Sequence, residues 1–128
     1  MDNLEKIRTL HESLFGDFSS DKIISILPIC IHEIDLEGKL IKMNNAGLCM
    51  LNETESDVMG KDYLSYVSEE DTPRITKLLH ESINNAVTKN FNFKSINGDS
   101  YRSCFTPLIK DGKVIKIVGY TQDKKWTI

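Results

Sequence analysis

Each histidine in this chain is followed directly by a glutamate, a pairing that occurs in zinc protease helices and in phosphoacceptor helices. The histidines are His11, His32 and His80. A zinc protease helix needs a second histidine three residues after the glutamate, where this chain has Phe15, Leu36 and Asn84. A phosphoacceptor histidine is followed shortly by a proline, which is missing after all of them. The sequence also lacks a glycine-rich phosphate loop and a nucleophile elbow. We therefore expect no enzymatic activity.

The cysteines do not have the spacing of a disulfide framework or a zinc ribbon, which needs closely spaced pairs. Cys30, Cys49 and Cys104 are far apart and lie in apolar segments, so we interpret them as reduced core residues of a cytosolic protein. Cys30 and His32 alternate along one strand and, with Cys104, could approach one metal ion. Because two ligands on one strand do not make a site, we prefer ordinary packing of that strand and expect no metal.

The composition limits the class of protein and its partners. With 128 residues the chain suits one domain with one hydrophobic core. The 16 basic and 19 acidic residues are interspersed, so no surface of a single charge sign is expected to attract nucleic acid or an anionic membrane. The first residues lack the basic segment and apolar run of a secretory signal, and no apolar run is long enough to span a bilayer. These features favour a cytoplasmic protein without direct membrane contact.

Residues 1–20 predict an amphipathic helix ahead of the main domain. Asp2 and Glu5 can form a reciprocal N-terminal cap, and an apolar stripe follows at helical spacing. The stripe consists of Leu4, Ile7, His11, Leu14 and Phe18. Its spacing suits a coiled-coil seam in a homodimer, but the same face could instead fold back on a sheet of its own chain, and the choice stays open. A second short helix is expected up to Leu27, where Pro28 ends it.

The rest of the chain alternates between strand and helix patterns. Strands are expected at residues 29–35, 39–43, 91–96, 101–108 and 114–122, and helical segments at 46–51, 54–60, 63–67 and 68–87. Gly38, Asn97-Gly98 and Asp111-Gly112 supply the turns of three hairpins. Either Asn44 or Asn45 caps the first of these helices. Three hairpins imply an antiparallel sheet, and the helices must cover one of its faces.

The order and spacing of these turn and cap residues resemble the pattern of a PAS domain, a small sensory module. The resemblance extends from about Ile26 to Asp123 and covers most of the chain. It rests on Asp35 to Gly38, Asn44 with Ala46, Gly60, Ser68 to Asp71, Asn97-Gly98, Gly119 and Asp123. It implies an α+β fold for residues 21–128, with a five-stranded antiparallel sheet and a helical block covering one face. The N-terminal amphipathic helix would precede this domain.

The resemblance also implies a function in signal transduction rather than catalysis. We expect the chain to bind a small ligand or a partner and to relay the change to an effector, within a histidine kinase or a transcriptional regulator. Asp123 would begin the link to the effector, although the aspartate-aliphatic-threonine triplet usual in this family reads Asp123-Lys124-Lys125 here. The alternative is a ligand-free module for protein interaction and dimerisation. The two hypotheses differ in whether the interior contains a cavity or is filled by side chains.

The resemblance places a pocket between the sheet and the helices. The candidates for its lining are Tyr63, Tyr66, Leu79, Ile83, Phe91, Phe93, Tyr101, Ser103 and Phe105. The cofactor is left open. A flavin photosensor of this family needs a cysteine where Tyr63 stands, so covalent flavin chemistry is not expected, whereas non-covalent flavin stays open. Haem would use His80 on the long helix, but the apolar stripe puts His80 near the solvent boundary, and we do not favour haem.

Overall fold

The computed structural model describes residues 29–123. The elements in chain order are the strands β1 (Cys30–Ile34) and β2 (Leu40–Met43), the helices α1 (Asn45–Leu51) and α2 (Glu55–Val58), a 3-10 helix (Tyr63–Tyr66), the helix α3 (Thr72–Asn85), and the strands β3 (Lys89–Lys94), β4 (Ser100–Lys110) and β5 (Lys113–Asp123). The helices expected in residues 1–27, with the seam from Leu4 to Phe18, lie outside the described residues. Within residues 29–123, no helix is long and apolar enough to cross a membrane.

The strands form one antiparallel sheet of five strands in the order β2-β1-β5-β4-β3. Hairpins join β1 to β2, β3 to β4 and β4 to β5. β1 pairs with β5 at the centre of the sheet, with Cys30 opposite Thr121 and His32 opposite Gly119. The α+β fold with a five-stranded antiparallel sheet, which the sequence predicted, is therefore confirmed.

Asn44 joins the sheet to the helical block. Its side-chain oxygen accepts hydrogen bonds from the backbone N–H of Ile31 at 2.9 Å and of Gly47 at 3.1 Å. Its amide nitrogen donates to the carbonyl of Ile29 at 2.8 Å. One buried side chain thus binds β1 and caps α1, which fixes how the helix leaves the sheet. Of the two asparagines considered, Asn44 is the cap.

The helices cover one face of the sheet. The core between them is aliphatic and aromatic and includes Ile34, Leu40, Val58, Tyr63, Ile75, Leu79, Phe91, Phe93, Phe105 and Ile117. Ile75 and Leu79 are the buried apolar residues of α3, on the stripe that the sequence predicted. A second buried cluster lies on the opposite face of the sheet and consists of Ile29, Ile31, Cys104, Val118 and Tyr120. β1 is therefore buried on both faces.

The helices differ from the sequence expectation in a few positions. α3 begins at Thr72 rather than at residue 68. α3 ends at Asn85 rather than at Val87, because Ala86 takes the left-handed conformation (φ 54°) that ends the helix and turns the chain toward β3. Val87 is consequently exposed. Cys49, expected in the core, is also exposed. It follows the buried Gly47 by two positions on α1, which places it on the far side of that helix.

Segments of the helical block bind the outward-facing backbone of both edge strands. On β3, the Asp71 carboxylate accepts a hydrogen bond from the N–H of Lys94 at 2.8 Å, and Arg74 donates to a carbonyl of the same strand at 2.6 Å. On β2, the N–H of Leu40 donates to the carbonyl of Lys61 at 2.8 Å. These bonds occupy polar groups that an edge strand otherwise leaves exposed.

Candidate functional site

A cavity of about 640 Å³ lies between the sheet and the helical block. Its sheet wall includes His32 of β1 and Thr121 of β5, and its helical wall includes Leu51 of α1 and Tyr66 of the 3-10 helix. The exposed residue Asp62 lies on its rim, so this side is open to solvent. The cavity thus extends from buried strand residues to the protein surface.

The structure brings only part of the predicted pocket residues to this cavity. Those that line it are Tyr63, Tyr66, Phe93 and Tyr101. Leu79, Ile83, Phe91 and Phe105 belong instead to the packed core. The rings of Phe91 and Phe105 have centroids 4.6 Å apart and fill the space on the α3 side of the domain. Ser103 is buried and donates a hydrogen bond to the carbonyl of Tyr120 at 2.8 Å.

The deep end of the cavity consists of Cys30, His32 and Tyr63, all buried. The Cys30 sulfur lies 3.6 Å from Nδ1 of His32. The His32 ring stacks on Tyr63, with centroids 5.1 Å apart and an interplanar angle of 19°. The imidazole also lies against Gly119, where a β-carbon would collide with Nε2. A glycine within a strand lets another group approach the backbone closely, and at Gly119 that group is the His32 ring.

Burial keeps the deep end uncharged. It lowers the pKa of His32 to about 4 and raises the pKa of Cys30 to about 12. Burial also raises the pKa of Tyr63, although the nearby Ser103 hydroxyl acts in the opposite direction. Within residues 29–123, Nε2 of His32 and the Tyr63 hydroxyl have no hydrogen-bond partner of acceptable geometry. The deep end is therefore neutral, and both of these polar atoms are enclosed by the surrounding protein.

The mouth of the cavity consists of Glu53, Lys61 and Tyr66, which hydrogen bonds join to one another. The Tyr66 hydroxyl donates to Oε2 of Glu53 at 2.8 Å, and Nζ of Lys61 donates to the same oxygen at 3.2 Å. Nζ also lies 5.6 Å from the centroid of the Tyr66 ring. The bond to Glu53 raises the pKa of Lys61, so the ammonium stays charged. Partial burial, followed by the bond to Glu53, raises the pKa of Tyr66.

The residues considered as metal or haem ligands do not meet. Cys104 lies in the cluster on the opposite face of the sheet, so it cannot join Cys30 and His32. In the described part of the chain, no group of three histidine, cysteine, aspartate or glutamate side chains could hold a metal ion. His80 is exposed on α3 and is not among the residues that line the cavity.

Sequence reasoning included Tyr66 but missed Glu53 and Lys61 at the mouth, and it treated Cys30 and His32 at the deep end as ordinary packing. Glu53 and Lys61 lie outside the periodic segments, so no pattern marked them as partners. A signal for His32 was present: a histidine on a buried strand, with a glycine on a later strand of the same sheet. The two residues can be connected only when the β1–β5 register is known, because this register puts Gly119 opposite His32.

Comparisons with known proteins agree on the fold. No family model and no curated protein matches this chain. Among solved structures, the PAS domain of a protein from Colwellia psychrerythraea matches with a TM-score of 0.74 and 16% identity, covering 82% of this chain and 93% of that one. The PAS domain of an HTR-like protein from Haloarcula marismortui matches with a TM-score of 0.68 and 16% identity, covering 93% and 98%.

A further match is with one domain of a larger protein. The N-terminal domain of a diguanylate cyclase with a PAS/PAC sensor, from Marinobacter aquaeolei, has a TM-score of 0.65 and 13% identity, covering 74% of this chain and 94% of that one. At these identities the agreement concerns the backbone alone. The strand order, the helical block over one face and these matches together show that this chain has the PAS fold.

Proposed function

We propose that residues 21–128 form a sensory domain, which binds a small molecule in the cavity between the sheet and the helical block and relays its presence to an effector. The observation that carries this proposal is the cavity. Its volume of about 640 Å³ is in the range of small-molecule sites, and a few polar atoms meet an apolar wall there. The similarity to a domain of a diguanylate cyclase with a PAS/PAC sensor supports a signalling role.

A module used only for interaction and dimerisation would fill its interior with side chains. In this structure the region around Phe91 and Phe105 is filled, whereas space remains beside His32 and Tyr66. Because this space is not filled by side chains, we favour sensing over the ligand-free alternative.

We propose that the signal leaves the domain along β5. Thr121 lines the cavity, and the strand ends at Asp123. In the β4–β5 register Asp123 lies opposite Tyr101, which also lines the cavity, so the end of β5 is paired with a second cavity residue. A ligand would bias two arrangements of this strand by its differential affinity for them.

The wider assembly is part of the same proposal. The N-terminal residues 1–20 would pair with those of a second copy through the apolar stripe and form a homodimer. The receiving effector would be the catalytic part of a histidine kinase or the output part of a transcriptional regulator in the cytoplasm. The mixed charge of the chain supports a protein partner rather than nucleic acid.

Native mass spectrometry of the freshly purified full chain, with its absorption spectrum, tests this function. The expected result is a dimer that carries a discrete small-molecule mass, which is released on denaturation. Visible absorption would identify haem or flavin directly. A chain that stays without any added mass after incubation with a metabolite extract would count against sensing and in favour of the ligand-free module.

A matched pair of variants locates the binding. Met50 lines the cavity, whereas its neighbour Cys49 on α1 is exposed and does not line it. Met50→Trp should fill the cavity and remove the added mass, and Cys49→Trp should keep it. Circular dichroism would show that both variants fold. Equal retention in both folded variants would show that the molecule binds elsewhere.

A further inference from the structure

The charged residues around the cavity are predominantly acidic. Three acidic residues, Glu53, Asp62 and Asp99, are among the residues that line it. Within residues 29–123, Lys61 is the only lysine or arginine that lines it. Its ammonium is already paired with Glu53, at 3.2 Å. An anionic ligand would therefore meet repulsion at the rim without an unpaired cation to offset it.

The deep end cannot compensate for this imbalance. Cys30, His32 and Tyr63 are buried and neutral at physiological pH, so they give a carboxylate or phosphate no charged partner. A negative charge buried beside these groups would therefore not be compensated.

The mouth shows how a cation is held at this site. The ammonium of Lys61 lies 5.6 Å from the centroid of the Tyr66 ring and within hydrogen-bond distance of the Glu53 carboxylate. An aromatic face combined with a carboxylate is the arrangement that recognises organic ammonium groups. Tyr63, Phe93 and Tyr101 continue the aromatic wall inward from this position. Lys61 is about half exposed, so its displacement by a ligand would cost little.

We propose that the cavity takes an organic cation, an amine or quaternary ammonium with an aromatic or otherwise flat apolar body. The ammonium replaces that of Lys61 between Glu53 and the Tyr66 ring, and the body extends along the aromatic wall toward His32. This inference rests on the proposed sensory function and adds the ligand class to it. Release of Lys61 from Glu53 would also loosen the contact between the loop after α1 and the segment that precedes the 3-10 helix.

A series of ligands that differ only in charge tests the class. Tryptamine, tryptophol and indole-3-acetate share one ring system and are cationic, neutral and anionic. Isothermal titration calorimetry on the full chain should give the tightest binding for tryptamine. Tryptophol should bind about tenfold more weakly, since it lacks the cation–π and carboxylate contacts. Indole-3-acetate should give no measurable binding. Equal affinity for the three, a preference for the anion, or binding of none of them would overturn the inference.

Two variants separate this inference from a general effect on the cavity. Lys61→Met removes the internal competitor, so tryptamine should bind several-fold more tightly and tryptophol unchanged. Glu53→Gln keeps a hydrogen-bond acceptor for Tyr66 and removes the charge, so tryptamine alone should bind more weakly. Weaker tryptamine binding in Lys61→Met would refute the displacement. If native mass spectrometry still finds a bound molecule when the charge series fails, the sensory function stands and only the ligand class is wrong.

Discussion

Acidification should destabilise this domain through His32. Its pKa is about 4 in the native state, against 6.5 for an exposed imidazole, because the buried ring loses the hydration that a positive charge requires. Between these values the unfolded chain binds a proton that the native chain does not. The stabilisation from the neutral ring is therefore complete above the unfolded pKa and is lost as the pH falls toward the native one.

The size of the effect follows from the two pKa values. Their difference corresponds to about 3 kcal/mol of unfolding free energy once both states are protonated, and about 2 kcal/mol of this is lost between neutral pH and about pH 5. For a domain of this size, that loss is a considerable part of the total stability. Cys30 and Tyr63, the groups in contact with the ring, stay neutral over this range because their pKa values are raised.

Urea denaturation at neutral pH and at about pH 5 measures this contribution. His32→Phe keeps a ring in place and cannot titrate, so wild type should lose about 2 kcal/mol more than the variant between the two conditions. Asp71, whose pKa is lowered mainly by the hydrogen bond from Lys94, adds acid sensitivity to both proteins and cancels in the comparison. His80→Gln controls for the loss of an exposed histidine. An equal loss of unfolding free energy in wild type and His32→Phe would refute the reasoning. A pKa of His32 near the ordinary imidazole value, measured by NMR titration, would refute it as well.

Other predictions concern packing and assembly. Gly119→Ala should destabilise the fold by about 1–3 kcal/mol, because the methyl group collides with the His32 ring. In chemical denaturation, a double variant with His32→Ala should recover much of this loss. If the losses of the two single variants simply added in the double variant, the contact would be contradicted. Asn44→Ala should cost about 2–4 kcal/mol of unfolding free energy, since it removes the hydrogen bonds to the buried backbone groups of Ile29 and Ile31. A loss below about 1 kcal/mol would mean that water replaces the side chain. Leu14→Asp should convert the expected dimer to monomer in light-scattering measurements, whereas Ser13→Asp should not, and a dimer unaffected by both would place the interface elsewhere.

The fold was largely predictable because its turns and caps are set by local chemistry. The Asn97-Gly98 turn and Gly38 with its positive φ each specify a reversal with few alternatives. The hydrophobic stripe of α3 likewise identified the helix that packs on the sheet. Helix ends were less predictable. Alanine does not favour the left-handed conformation that Ala86 adopts, so no local residue type indicates that α3 ends at Asn85.

The site was less predictable, because a cavity depends on where packing stops. Alternation along β3 and β4 puts Phe91, Phe93 and Phe105 on the same inner face. Only Phe93 reaches the cavity, since the rings of the other two pack against each other. Similarly, no local pattern connects Glu53 with Tyr66, because their contact depends on how the loop after α1 returns to the 3-10 helix.

The hydrogen bonds that helical segments make to β2 and β3 restrict how this domain meets other molecules. With Leu40 bound by Lys61 and Lys94 bound by Asp71, an incoming extended peptide finds these backbone positions already taken. Addition of a strand to either edge strand, β2 or β3, would first require part of the helical block to detach. A contact at β2 or β3 would therefore form through side chains rather than through backbone pairing, and the same hydrogen bonds discourage aggregation by strand addition.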